Sequence, residues 1–370
     1  MNHLVIAAGP VHTQAVLMSD HGPERLFAEP FARGPRPGDL YGVRMGPHVR
    51  GADGCVVEMG DGVSGFLTRP KGLKLQDFLS QYPEGRIVAA EVISPARPGK
   101  RARLRPASVA ADAVGLMRAA PHGWVGEVAR AVGSVERVTV NRADLLASLR
   151  VLFPQAEVDH HTARVPIFDH YDLREVFAEA LEPVWPLACG GRVIWQPTAA
   201  GHCFDVDTAG ANRRQANVQA VASVLDRVRL LNLEGLMMVG FVPDSDGQNA
   251  LRDQVLQADL GLTVGRLDRL GVMAMTRARQ GLAVDEVVLQ PTGWGYGLRP
   301  EVTVQAACVA WQREGAARPG TRLRLHLAPS VMAAFLRAQA QNEALQAMPV
   351  VEDATVSAYD VREMTKDDMR

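Results

Sequence analysis

Two aspartates at alternate positions are the residues of this chain best placed to do chemistry. Asp205 and Asp207 lie in the stretch GHCFDVDTAG, which has the pattern of a short strand followed by a turn. Side chains alternate between the two faces of a strand, so both carboxylates point to the same side at the strand end. Such a pair suits Mg²⁺, which takes one or two carboxylates, several waters and phosphate oxygens. From the spacing alone, a solvated Asp-x-Asp turn is the favoured interpretation.

The elements around these aspartates follow a β-β-α-β order. RVIWQ (192–196) and HCFDVD (202–207) have the composition of strands, a helix extends from about 215 to 231, and GLMMVGFV (235–242) has that of a buried strand. Upstream, apolar residues of FDHYDLREVFAEAL recur with helical spacing, and Asp169 precedes them as a helix cap. This order predicts an α/β unit in which the aspartates end the second strand.

The C-terminal part of the chain shows a second, smaller α/β pattern. After a helix near 248–258, the glycine-rich stretch QPTGWGYGLRP (290–300) is interpreted as a linker. A helix, the strand RLRLHLA and another helix follow it, and a polar tail ends the chain. We therefore expect a small α/β appendage behind a linker.

A small barrel is predicted between Leu40 and about Leu104, where short β-like runs alternate with glycine and proline. We interpret it as an OB-fold. Its last part contains a basic run, RPGKRARLRP, with five cations: Arg97, Lys100, Arg101, Arg103 and Arg105. Because 40 basic residues nearly cancel 41 acidic ones in the whole chain, nucleic-acid binding has to come from such a local patch.

Composition excludes several classes of protein. With 370 residues, 47% of them hydrophobic, the chain is long enough for two or three domains with sizeable cores. Its four cysteines lie far apart without a Cys-x-x-Cys spacing, which argues against a disulfide framework and a tetrahedral zinc site. There is no secretory leader pattern and no apolar run of about 18 residues. These features predict a cytoplasmic protein with no membrane span.

The region around Asp205 resembles the ribonuclease E/G family. The resemblance runs from VPIFDHYDL through GGRVIWQPTAAGHCFDVDT and continues in NVQAVASVLDRVRLLNLEGL and RLGVMAMTRAR. GCVVEMGDGVSGFL in the first third is similar to the family's barrel. The positions that match the family's motifs are Pro166, Phe168, His170, Tyr171, Gly190, Gly191, Thr198, Ala199, Asp205 and Thr208.

The resemblance implies a fold of several parts. These are a ribonuclease-H-like segment with an inserted OB-fold barrel, a β-β-α-β metal-site subdomain of DNase-I-like type, and a small C-terminal α/β appendage. The expected boundaries are 1–37 for the N-terminal ribonuclease-H-like strands, 38–107 for the barrel, 108–163 for a shortened sensor-like region, 164–289 for the catalytic-type core and 290–370 for linker, small domain and tail.

The resemblance also implies a reaction, the hydrolysis of single-stranded RNA by metal-activated water to leave 5′-phosphate products. Asp205 matches the family's first magnesium aspartate, and Asp207 stands where the family has an asparagine that orients metal-bound water. The expected cofactor is Mg²⁺, with Mn²⁺ as a substitute and no zinc. Arg277 and Arg279 would contact backbone phosphate; as a plain alternative they are exposed arginines at a helix end.

RNA contacts are expected mainly on the barrel. Phe66 matches an aromatic residue that faces single-stranded RNA, although a core phenylalanine fits the same pattern. Lys100 matches a lysine near the family's RNA channel. Arg44, Arg101 and Arg103 complete the predicted RNA-binding set. Val56 replaces a second family aromatic, which weakens the expected stacking.

The chain departs from the family at three places. Gly240 and Pro243 stand at the two aspartate positions of the strand that holds the second metal ligand, so Asp244 or Asp246 would have to replace it. The 5′-phosphate sensor motif is absent between about 108 and 140, which favours internal entry of RNA. The zinc-link cysteines are absent from QPTGWGYG, which leaves a dimer and a monomer open, and we expect no degradosome-like assembly through a disordered, charged tail.

These observations favour an endoribonuclease of RNA processing or decay. The second hypothesis is an RNA-binding protein on the same scaffold whose hydrolytic site has decayed, as Gly240 and Pro243 indicate. A metal hydrolase of small phosphorylated substrates conflicts with the barrel and the basic run.

Overall fold

A computed structural model describes residues 2–31, 34–97, 99–243, 248–279, 281, 283–293 and 295–364. The chain is mixed α/β and divides into two compact units. The first unit comprises Met1–Phe31, Ser134–Ala278 and Ala283–Arg370, and the second comprises Ala32–Gly133 and Arg279–Leu282. Within the described ranges, none of the helices is both long and apolar enough to cross a membrane.

The strands are numbered in chain order. They are β1 His3–Ala8, β2 Thr13–Ser19, β3 Gly22–Ala28, β4 Leu40–His48, β5 Gly54–Gly60, β6 Val63–Thr68, β7 Ile87–Ser94, β8 Ala102–Pro106, β9 Gly115–Arg118, β10 Arg137–Val140, β11 Glu157–His160, β12 Val184–Pro186, β13 Arg192–Pro197, β14 Gly201–Asp207, β15 Gly235–Gly240, β16 Leu262–Leu267, β17 Val272–Arg277, β18 Leu289–Thr292, β19 Gly295–Leu298, β20 Leu323–Leu327, β21 Val350–Glu352 and β22 Tyr359–Glu363.

The helices are numbered in the same way. They are α1 Leu75–Gln81, α2 Gly123–Val132, α3 Leu146–Leu152 (preceded by the 3₁₀ turn Ala143–Leu145), α4 Ile167–His170, α5 Val176–Leu181, α6 Arg213–Leu230, α7 Gln248–Gln257, α8 Val284–Val288, α9 Pro300–Ala317, α10 Pro329–Gln339 and α11 Glu343–Gln346.

The first sheet of the first unit has the order β11-β10-β1-β2-β3. β1, β2 and β3 are antiparallel neighbours, whereas β10 and β11 run parallel to β1. Leu4, Val5 and Ile6 of β1 are fully buried, because a central strand covered on both faces needs apolar residues at successive positions. This sheet brings residues from both ends of the sequence segment 3–160 together.

The second sheet carries the aspartates and has the order β12-β13-β14-β15-β17-β16. β13 and β14 are antiparallel, and β15 runs parallel to β14 after the crossover through α6. Alternate residues face α6 and form the core: Val193, Trp195, Phe204, Val206, Met237 and Val239 from the strands, and Ala220, Val221, Val224 and Val228 from the helix. The predicted β-β-α-β order is confirmed.

The second unit is built on a closed barrel of five strands, β4-β5-β6-β8-β7, in which β4 pairs with both β5 and β7. β6 and β8 are parallel, and α1 follows β6. The interior is filled by side chains from every strand and by Phe78 of α1: Val43, Met45, Val57, Met59, Leu67, Val88, Ala90, Val92 and Leu104. The barrel predicted for this part of the chain is confirmed, and β9 extends it beside β4.

At the C-terminal end, α9 and α10 pack on the sheet β21-β20-β22. Gln305 of α9 holds the turn between β1 and β2, because its Oε1 accepts the N–H of Val11 at 3.1 Å. A Cβ on Gly9 would overlap the side-chain amide of Gln305, so a larger residue there would displace this contact. The segment expected to be a polar tail therefore supplies strands β21 and β22 to this small α/β part.

The helix predicted over residues 168–181 is wrong in one respect, because the structure breaks it into α4 and α5. Asp172, between them, has a φ of 57°, a left-handed conformation that interrupts an α-helix. Asp169 does not cap the helix. Its carboxylate is almost fully buried and is held by the guanidinium groups of Arg174 and Arg313, and Arg313 lies 144 residues further along the chain.

Strands β17, β18 and β19 correct two further interpretations. The stretch 290–300 is not a plain linker, because β18 and β19 form an antiparallel hairpin in which Leu289 pairs with Leu298. Arg277 is not at a helix end, because it is the last residue of strand β17. Glycines at 295 and 297 permit the tight hairpin, since the backbone of Gly295 has a φ of 146°.

A buried histidine next to β2 makes stability depend on pH. His12 is 4% exposed, its Nδ1 lies 3.3 Å from the carbonyl oxygen of Glu29, and its ring stacks on Phe31. No partner for Nε2 is present among the described residues. Burial lowers the pKa of His12 from 6.5 to about 4, so the folded protein binds fewer protons than the unfolded chain between these values.

We expect the contribution of His12 to stability to be complete above pH 6.5 and to be lost as the pH falls from 6.5 to 4, by about 3 kcal/mol. Urea unfolding of the wild type and of His12→Gln at several pH values measures this, and the variant should have the shallower pH dependence. Exposed His21, replaced in the same way, is the control. Equal slopes for the wild type and His12→Gln would contradict the assignment.

Candidate functional site

Asp205 lies on the open face of the second sheet, opposite the face covered by α6. Its neighbours Phe204 and Val206 are buried, whereas the Asp205 side chain is exposed. Among the described residues it has no hydrogen-bond or ion-pair partner. Strand alternation therefore presents a solvated carboxylate near the end of β14, as the sequence predicted.

Asp207 lies on the same face but is already engaged. Its Oδ2 accepts a hydrogen bond from Nε of Arg192 at 2.9 Å and forms an ion pair with Nη2 at 2.6 Å, and its Oδ1 accepts the N–H of Ala209 at 2.9 Å. These contacts, that of Ala209 first, lower the pKa of Asp207. Asp207 thus stays ionised, and both of its oxygens already accept hydrogen bonds from protein groups.

The neighbouring strand supplies no second carboxylate within the described residues. Asp205 pairs in register with Gly240 of β15, and a Cβ on Gly240 would lie 3.4 Å from Oδ1 of Asp205. Pro243, three residues later, is exposed and has no acidic side chain. Asp244 and Asp246, the predicted replacements, lie outside the described residues.

The backbone at this end of β15 is nevertheless held firmly. Asn217 of α6 is buried, its Nδ2 donates to the carbonyl oxygen of Val242 at 2.8 Å, and its Oδ1 accepts the N–H of Val242 at 3.1 Å. The backbone N–H and C=O of one residue are thereby both satisfied by a single side chain. Asn217 fixes the chain next to Asp205, and sequence reasoning had assigned it no role beyond its place in the helix.

The described residues contain no group of three or more histidine, cysteine, aspartate or glutamate side chains that could hold a metal ion. A protein cage of the zinc or calcium type is therefore not formed by them. One solvated carboxylate at a strand end suits a hard cation that keeps most of its waters and takes further oxygens from a phosphate. Asp205 fits this minimal role for Mg²⁺.

On the barrel, Phe66 lies on the outer surface and not in the core. Its neighbours Gly65 and Leu67 point inward and are buried, whereas Phe66 is half-buried. The ring covers Gly54, where a Cβ would lie 2.8 Å from Cε1 of Phe66. The ring therefore lies on the outer face next to Gly54, which excludes the alternative of a core phenylalanine.

Some cations of the basic run bond other groups of the protein, and others are exposed without such contacts among the described residues. Arg97 bonds Ser94 and the carbonyl oxygen of Gly281, Nε of Arg101 donates to Ser64 Oγ at 2.9 Å, and Arg105 pairs with Glu91 at 2.7 Å. Lys100 and Arg103 are exposed and make no such contacts with described residues. Arg103 is the register partner of Phe66 on β8, so a cation and an aromatic ring share one barrel face.

The remaining predicted RNA contacts belong to different elements and units of the chain. Arg44 of the barrel forms a 3.5 Å ion pair with its cross-strand partner Glu58. Arg277 donates to Asn232 Oδ1 at 3.2 Å and pairs in register with Gly235. Gly235 begins β15, and Gly240, the register partner of Asp205, ends it. Arg277 therefore lies about 17 Å from Asp205 along the strand direction. Arg279 belongs to the second compact unit.

Comparison with known proteins gives relatives for the middle of the chain. A profile of the Ribonuclease E/G family matches residues 128–280. Ribonuclease E of Nostoc sp. strain PCC 7120 is 30% identical over 144 residues, covering 35% of this chain and 21% of that protein. Ribonuclease G of Escherichia coli K12 is 27% identical over 173 residues, covering 43% and 35%. The chain thus matches about a fifth to a third of the length of these curated relatives.

The fold and the open acidic strand end define a mixed α/β protein that contains a closed five-stranded barrel and a sheet with a solvated aspartate. Residues 128–280, less than half of the chain, match the model of the Ribonuclease E/G family. The resemblance found in the sequence is confirmed for this segment, which includes Asp205, Asp207 and Asn217.

Proposed function

We propose that this protein is an endoribonuclease that cleaves single-stranded RNA in RNA processing or decay. The observation that carries the proposal is the solvated carboxylate of Asp205, placed at a strand end inside the segment that matches the family. Relatives of this segment are named ribonuclease E and ribonuclease G. The barrel with Phe66, Lys100 and Arg103 on its surface supports RNA as the substrate class.

The proposal includes the finer architecture. The strand order β11-β10-β1-β2-β3 supports a ribonuclease-H-like segment, the barrel strand order supports an OB-fold inserted after β3, and β13-β14-α6-β15 supports a DNase-I-like metal-site subdomain. The C-terminal sheet with α9 and α10 is then the small appendage. A homodimer stays part of the proposal, and light scattering after gel filtration tests it.

Asp205 would hold Mg²⁺, or Mn²⁺ in its place, with Asp244 as the second carboxylate that the sequence offers. Bound there, the ion supplies an activated water and stabilises the developing oxyanion of phosphodiester hydrolysis. The protein's own residues do the rest. Phe66 stacks on a base, Lys100 and Arg103 hold backbone phosphates, and Asn217 keeps the peptide of Val242 in place beside Asp205.

A second candidate function has a specific observation in its favour. Because Gly240 and Pro243 contribute no carboxylate and Asp207 is paired with Arg192, the described residues leave Asp205 as the one solvated acid at the strand end. An RNA-binding protein that no longer cleaves would keep the barrel surface and this incomplete acidic site. The two candidates predict the same RNA affinity and different fates of the bound RNA.

The test is incubation of the purified chain with a 5′-labelled, AU-rich single-stranded RNA, with Mg²⁺ and with EDTA. Internal cuts that require Mg²⁺ and leave 5′-phosphate on the downstream product support the endoribonuclease. RNA that is retarded on a native gel but stays intact supports the binding protein. RNA that is neither bound nor cut contradicts both candidates.

A further inference from the structure

Arg192 shares the open face of the second sheet with Asp205. The register of β13 and β14 pairs Arg192 with Asp207 and Ile194 with Asp205. Cross-strand partners and residues two apart on one strand point to the same face of a sheet. The guanidinium of Arg192 therefore projects from the surface that carries both carboxylates. On that face, the pair Arg192–Asp207 lies next to the pair Ile194–Asp205.

The pairing with Asp207 leaves most of the guanidinium available. A guanidinium has five N–H donors; Nε of Arg192 donates one hydrogen bond to Oδ2 of Asp207, and Nη2 makes an ion-pair contact with the same oxygen at 2.6 Å. Nη1 has no partner among the described residues, and the side chain is 50% exposed. Asp207 is itself anchored by the N–H of Ala209 on Oδ1, so Oδ2 is held in place and sets the direction of the Arg192 guanidinium.

A surface ion pair alone is a weak explanation of this arrangement, since such a pair contributes about 0–1 kcal/mol to stability. The position next to Asp205 gives the arginine a clearer effect. Two carboxylates on one strand end repel a polyanion, and Arg192 offsets one of these charges. Its uncommitted N–H groups point outward and have the planar geometry that matches a phosphate.

We propose that Arg192 binds a backbone phosphate of single-stranded RNA beside Asp205, and that Asp207 is the positioning residue that orients its guanidinium. The inference rests on the proposed function, because it names the group that brings RNA to that site. It also gives Asp207 a role different from that of a metal ligand.

The experiment measures RNA affinity in EDTA, where cleavage is absent, by fluorescence anisotropy of a short labelled single-stranded RNA at graded salt concentrations. We expect Arg192→Gln to weaken binding about fivefold to tenfold and to reduce the slope of log K against log salt by about 0.7, the value for one phosphate contact on a single strand. The matched control is Arg142→Gln, because Arg142 is 48% exposed and pairs with Asp144 at 2.7 Å. The control should leave affinity and slope unchanged.

A double-mutant cycle tests the positioning role of Asp207. In an Asp207→Asn background the guanidinium loses its orientation, so Arg192→Gln should then change affinity less than twofold. An equal loss in both backgrounds would show that Arg192 acts through its charge alone and would overturn the positioning role. Arg192→Lys should keep the salt slope and lose part of the affinity, because an ammonium has the charge without the fork.

The outcomes separate this inference from the function on which it rests. If Arg192→Gln and Arg142→Gln bind RNA as the wild type does, the phosphate site is overturned while RNA binding stands. If the wild type itself does not bind RNA, the proposed function fails instead. Thermal unfolding of each variant, expected to match the wild type, shows that a loss of affinity is not a loss of fold.

Discussion

Replacing Asp205 with asparagine is expected to lower the rate of RNA cleavage by about 10²-fold or more. Asparagine has the same shape as aspartate but no charge, so it cannot hold a divalent cation with comparable strength. Because Asp205 is exposed and has no partner among the described residues, the substitution should leave stability within about 0.5 kcal/mol of the wild type. RNA affinity should be unchanged or slightly higher, since a negative charge is removed.

The measurement is the initial cleavage rate of labelled single-stranded RNA at saturating enzyme, together with the affinity of the same RNA in EDTA. Asp226→Asn is the matched control, because Asp226 is an exposed aspartate of α6 in the same compact unit. A rate for Asp205→Asn equal to that of the control would remove Asp205 from the site. A wild type that binds RNA without cutting it would instead favour the binding protein.

Replacing Phe66 with alanine should weaken the affinity for single-stranded RNA by about 5- to 150-fold, which corresponds to about 1–3 kcal/mol for one stacked base. The ring lies next to Gly54 on the outer face of the barrel and is partly exposed, so a base can stack on it without any rearrangement of the barrel core. Because Leu67 and not Phe66 belongs to the barrel core, the fold should survive the change.

Two further variants separate stacking from electrostatics. Phe66→Leu keeps an apolar cover over Gly54 but lacks a π face, so it should bind almost as weakly as Phe66→Ala. Neither variant should change the salt dependence of binding, whereas Arg103→Gln should lower the slope of log K against log salt by about 0.7. Affinities within twofold of the wild type for both Phe66 variants would show that RNA does not use this face.

The elements that depend on local pattern were predictable. The β-β-α-β order around Asp205 and the strands of the barrel follow from apolar alternation and from turn residues that are close in the sequence. The solvated position of Asp205 follows from the same alternation, because Phe204 and Val206 on either side of it are apolar. The family resemblance around residues 166–208 adds the expected chemistry to this local frame.

Several local interpretations failed where a neighbouring element overrides the pattern. Helical spacing over 168–181 predicted one helix, but the backbone of Asp172 is left-handed and Asp169 is captured by Arg313 from α9. The glycines of 290–300 indicated a linker, yet the same glycines permit the hairpin of β18 and β19. In both cases the competing contact comes from the tertiary structure or from strand pairing.

By itself the sequence determined which residues are chemically capable: two aspartates at one strand end, an aromatic residue and a basic run in a barrel. Only the tertiary structure decided how they are used. Asp207 is engaged by Arg192 because the register of β13 and β14 places them opposite each other, and Gly240 leaves open the position beside Asp205 because β15 runs parallel to β14. Residue type and spacing are local properties, whereas register and ion pairing are set by the packing of elements that are distant in sequence.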